Sequence, residues 1–110
     1  MFMVVPSKQT GKPVKVTDEV AAVGCIAGDG LIREEVWKDA AGRVVRYNLA
    51  FINFHLFAKD NGRVLGYDTA HGRAHRHFAG SIAEIEPAEY SDILERFIAE
   101  VNELRSQKKL

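Results

Sequence analysis

Several things are scarce in these 110 residues. There is one cysteine, Cys25, so no internal disulfide can form and a secreted disulfide scaffold is excluded. No apolar run is long enough to span a bilayer. The opening MFMVVPSKQTGK lacks a basic region ahead of its short apolar run, so no signal peptide is expected. These absences make the cytoplasm the expected compartment. Repeats and low-complexity segments are absent, and the length fits one domain. Gly24-x-x-x-Gly28-x-Gly30 lacks the Gly-Lys-Ser/Thr ending of a phosphate-binding loop and reads as a turn. No cofactor motif is present, and no cofactor is expected.

Net charge is also lacking, yet the zero sum hides a gradient. Between Ala40 and Gly80 lie Arg43, Arg46, Lys59, Arg63, Arg73 and Arg76 against Asp60 and Asp68, a balance of +4. All four histidines, 55, 71, 75 and 77, fall in the same stretch. Ser81 to Leu110 is net −3. A basic middle and an acidic tail suggest one face that attracts an anion. Charges scattered over a solvated surface are the plainer alternative.

The pattern predicts an α+β fold: an antiparallel sheet of four to five strands with a C-terminal amphipathic helix packed on one face. Residues 1–30 read as an N-terminal arm of uncertain structure, with Pro6 and Pro13 in loop or tail and Val20–Ile26 as either a short helix capped at Thr17-Asp18-Glu19 or a buried strand. Residues 31–110 read as the folded domain. Leu31–Lys38 is a plausible first strand, and Asp39-Ala40-Ala41-Gly42 a turn. Arg43–Ala58 reads as one long strand. Its apolar parity changes from Val45, Tyr47, Leu49 and Phe51 to Ile52, Phe54 and Leu56, which predicts a bulge near Phe51-Ile52. Asp60-Asn61-Gly62 is a hairpin signal. Val64–Thr69 is the next strand, and His75–Ala79 another, extending toward Ile85. Pro87 is expected to open a helix whose stripe is Tyr90, Ile93, Leu94, Phe97, Ile98, Val101 and Leu104, with Asp92 and Arg96 paired across one turn.

Chemistry concentrates between Gly66 and Gly80, where three His, two Arg, one Asp and one Tyr share fifteen residues. In an extended segment His75 and His77 project from one face, with Arg76 and Phe78 opposite. Two imidazoles can serve as acid and base on a phosphodiester, and an arginine can bind the phosphate. The candidate catalytic residues are therefore His75, His77, Asp68 and His71. The candidate nucleic-acid ligands are Arg73, Arg76, Arg63, Arg46 and Arg43. A metal site on His71, His75, His77 and Asp68 is an alternative, opposed by the flanking arginines. A merely polar edge is another. His55 reads as a hydrogen-bonded core or edge residue, and Trp37 as a core or partner contact.

The line Arg63-Val64-Leu65-Gly66-Tyr67-Asp68, then His71-Gly72, His75-Arg76-His77 and Gly80 ahead of an amphipathic helix, resembles the TumE family of small prokaryotic toxins. The similarity spans roughly Gly28 to Gln107. Thr69 stands where that family usually has Asn, and residues before Gly28 have no counterpart. The resemblance implies the toxin component of a toxin–antitoxin system, a bacterial or archaeal cytoplasm, and an antitoxin partner, usually of helix-turn-helix type. By analogy with other small toxins it implies action on RNA. A non-enzymatic nucleic-acid-binding or protein-interaction regulator is the rival class. The sequence leaves the oligomeric state open, a homodimer included.

Overall fold

The computed structural model describes residues 11–110; the expectation for Pro6 falls outside them. Six antiparallel strands follow one another as a meander: β1 Val14–Val23, β2 Gly30–Lys38, β3 Val44–Ile52, β4 Arg63–Ala70, β5 Arg73–Phe78 and β6 Ser81–Ile85. One helix, α1 Tyr90–Arg105, packs across β3 and β4 on one face. The α+β class stands, with more strands than expected.

The two additional strands have separate origins. Residues 14–23 are not an arm. They form edge strand β1, paired with β2 from Val14↔Lys38 to Val23↔Gly30. The stretch from His75 toward Ile85 is two strands, because Ala79 and Gly80 turn the chain at φ 48° and 86°. His71 and Gly72 do the same between β4 and β5, at φ 54° and 75°. Positive φ at both central residues matches the twist of tight antiparallel hairpins.

The expected bulge is present: the β3–β4 register shifts between Phe51 and Ile52. The strand does not continue to Ala58, however. Asn53 ends it: its side-chain amide donates to the Gly28 carbonyl at 2.8 Å, and its Oδ1 accepts from the His55 amide at 2.9 Å. The Asn53 amide donates to Gly62 O at 2.8 Å, which closes a ten-residue connection rather than a two-residue hairpin. An Asn side chain that satisfies backbone groups competes directly with the ladder. Asp60, Asn61 and Gly62 do adopt positive φ, but as the end of that longer loop. His55 lies exposed, near Gly28, rather than in the core.

The core lies between β3, β4 and α1. Tyr47, Leu49, Phe51, Leu65 and Tyr67 meet Ile93, Phe97, Val101 and Leu104. The helical stripe is thus the buried face, although Ile98 at its margin stays 48% exposed. The helix starts at Tyr90, three residues after Pro87, with Glu89 as its N-cap. Arg96 lies 5.5 Å from the centre of the Tyr67 ring.

Candidate functional site on the open sheet face

Strand parity divides the candidate residues between two faces. Across β2 to β6 the face away from the helix carries the row Glu35, Asn48, Asp68, His75, Glu84, and beside it Arg33, Ala50, Gly66, His77, Ile82. The helix leaves this face open.

Asp68 is the centre of the arrangement. Its Oδ2 lies 2.9 Å from His77 Nε2, and its Oδ1 lies 3.9 Å from His75 Nδ1. Arg63 Nη1 is 3.7 Å from Oδ2. The Arg63 stem crosses Gly66, where a Cβ would stand only 3.0 Å from Arg63 Cδ. Arg63 Nε also donates to Asp60 at 2.9 Å. A cavity of about 290 Å³ opens beside Arg63, lined also by residues that include Arg33, Asn48, Asp60 and Asn61.

The two histidines differ. His75 is partly accessible, with 24% of its side chain exposed. His77 is only 8% exposed, and neither of its ring nitrogens makes a hydrogen bond. Its Nε2 approaches Asp68 Oδ2 outside hydrogen-bond geometry. His71 does not join them. It sits exposed at the tip of the β4–β5 turn, which needs its left-handed backbone. Among the described residues, no group of three or more His, Cys, Asp or Glu is arranged to hold a metal ion.

The arginines also separate. Arg76 lies on the helix side, where its Nη2 meets Glu100, its Nε donates to Tyr67 Oη at 3.2 Å, and Tyr67 Oη donates to Glu100. Glu100 holds the Arg76 guanidinium even more firmly protonated than usual. Burial first, then the Glu100 carboxylate, pushes the Tyr67 phenol up. Arg76→Ala should therefore cost on the order of 1 kcal/mol in urea unfolding, because the pair is partly solvated. It should leave any ligand on the open face bound as before, which a binding assay on the folded variant checks.

Arg73 pairs with Glu84 at 3.1 Å, and Arg43 with Asp39 at 3.1 Å. Arg46 has no carboxylate partner among the described residues; its guanidinium lies 4.1 Å from the Trp37 ring centre. The uniformly basic face suggested by the charge gradient is absent. The open face alternates in sign, because β1, β2 and β6 bring carboxylates beside the cations.

Sequence reasoning missed Arg33, Glu35 and Asn48. Glu35 lies 2.6 Å from Lys15 and 3.2 Å from Arg33, and accepts from Asn48 Nδ2 at 2.9 Å. The alternation Arg33, Glu35, Trp37 in β2 is the signal that could have placed them on one face. Lys15 and then Arg33 lower the Glu35 carboxyl from 4.5 to about 2. A carboxyl lowered on folding contributes stability above its unfolded value, and that contribution disappears as it protonates. Stability should therefore fall as the pH drops from 4.5 toward 2, and Glu35→Gln should make that acid limb shallower. Urea midpoints across that range check the expectation.

Comparisons with protein-family models, curated proteins and solved structures found no match for this chain. Among the described residues no helix is long and apolar enough to cross a membrane.

Proposed function

We propose that this chain is the toxin component of a toxin–antitoxin pair and acts on RNA at its open sheet face. The supporting observation is the convergence of His75, Asp68 and Arg63, the last of which also lines a cavity, on the face that the helix leaves free. His75 is the proton-transferring group, since it is the imidazole of the pair that reaches solvent. Asp68 stands beside its Nδ1 and orients it. Arg63 exchanges an ion pair for a phosphate oxygen and balances the charge that develops there. His77, buried behind Asp68, is a positioning residue and not the second catalytic acid. The resemblance to small prokaryotic toxins supplies the biological class, with a helix-turn-helix antitoxin as the expected partner.

A second reading has its own support. The burial of His77 leaves one accessible imidazole where an acid and a base would both be needed, which suits a surface that binds RNA without cutting it. One experiment separates the two. Purified protein is incubated with single-stranded RNA in EDTA, and a host is induced to express the chain. Cleavage and growth arrest, both lost in a folded His75→Ala variant, support the ribonuclease toxin. Binding without cleavage supports the second reading, and neither binding nor arrest removes both.

A further inference from the structure

Arg46 and Trp37 are directly opposite one another on β3 and β2, on the same open face as Asp68. The guanidinium lies over the indole, 4.1 Å from its centre. Arg46 differs from the other four candidate arginines in having no carboxylate partner among the described residues. Lys15, on the same indole at 5.2 Å, is held by Asp18 and Glu35. Arg46 is therefore the arginine of this set whose donors make no hydrogen bond among the described residues and whose position is nevertheless fixed. An aromatic plate beneath a guanidinium holds it flat and leaves its fork of N–H donors turned outward. That arrangement suits a phosphate, which accepts two such bonds side by side.

Its position relative to the cluster is set by register. Asn48 is two residues along β3 from Arg46, about 7 Å; Asp68 faces Asn48 across about 5 Å, and His75 faces Asp68 across about 5 Å more. The path from Arg46 to His75 is therefore about 12 Å, on the order of two nucleotide steps. We infer that Arg46, backed by Trp37, forms a phosphate subsite one to two nucleotides away from the one held at His75 and Asp68. The inference rests on the RNA reading above and deepens it. It gives the polymer a direction across the sheet, from the β2–β3 hairpin toward β5. Arg46 is the ligand; Trp37 is a positioning residue.

Trp37 is the sole tryptophan of the chain, so its emission reports on this site alone. The experiment titrates full-length protein with a single-stranded RNA hexamer at several salt concentrations and follows both emission and cleavage. Wild-type emission should change with saturation. Arg46→Ala should weaken binding on the order of tenfold and lower the salt slope by about 0.7, the value of one single-strand phosphate contact. It should raise KM and leave kcat unchanged. Trp37→Leu should weaken binding with the salt slope kept, and Trp37→Phe should recover part of the loss, because only the backing plate is altered. Circular dichroism confirms that each variant is folded.

Emission that stays constant while the RNA is bound and cut overturns the subsite and leaves the ribonuclease reading standing. An unchanged salt slope in Arg46→Ala does the same. Emission and slope changes without cleavage support the subsite and remove the ribonuclease reading. Absence of RNA binding by the wild type at low salt overturns the subsite.

Discussion

Replacing His75 with alanine is expected to slow RNA cleavage by roughly 10²–10⁴-fold, the range for losing a general acid or base. His75 is the member of the His pair with a route to solvent, and the Asp68 carboxylate stands behind its Nδ1 at 3.9 Å. That spacing is loose for a hydrogen bond and short enough to close when substrate is bound. The fold should survive, because the side chain leaves an already open face. His77→Ala should behave differently: its imidazole is buried, so truncation removes packing and shifts the unfolding midpoint. Asp68→Asn should resemble His75→Ala in rate and His77→Ala in neither respect. A labelled single-stranded RNA, cut in EDTA and resolved by length, reads all three. Equal rates for wild type and His75→Ala would sink the assignment of proton transfer to this residue.

Phe97→Ala should cost about 3–5 kcal/mol, the most of any single truncation in the helix. Phe97 is 1% exposed and meets Tyr67 edge-to-face with ring centres 6.3 Å apart. Its neighbours along the helix, Ile93 and Val101, are equally buried. They are fixed by the turns on either side and cannot collapse into the space. Tyr67 would also lose the ring edge that helps to hold it against Glu100 and Arg76. Urea unfolding followed by circular dichroism measures the change. A midpoint within experimental error of the parent would mean that α1 does not cover the sheet in solution.

How much of this was legible in the sequence depended on how local the deciding interaction is. The helical stripe from Tyr90 to Leu104 and the bulge at Phe51-Ile52 are written in apolar spacing, and both are found. Strand β1 was legible only in part, as one of two readings for Val20–Ile26. As an edge strand it leaves Val14, Val16 and Val20 exposed, so its sequence shows no inside and outside. The β5–β6 turn was hidden because Ala79 takes the left-handed position where Asn or Asp would have announced it. The loop after Ile52 carries Phe54, Leu56 and Phe57 and imitates a strand; one side chain, that of Asn53, ends it. In the candidate site, two-residue alternation correctly separated His75 and His77 from Arg76. The pairing of Arg73, Arg76 and Arg63 with carboxylates was beyond reach for most partners. Glu84 and Glu100 lie on β6 and α1, 11 and 24 residues away.

Every pair of neighbouring strands in the sheet is consecutive in the chain. Each hairpin can therefore close as soon as its second strand exists, at little cost in loop entropy, and such local wiring favours fast assembly. The helix is the exception. It follows all six strands and must return over β3 and β4, so Leu49, Phe51, Leu65 and Tyr67 face water until it docks. The vulnerable species on this folding route is a finished sheet with one greasy side, formed early and capped late. Its lifetime, more than the stability of the native state, sets how readily the chain aggregates during synthesis.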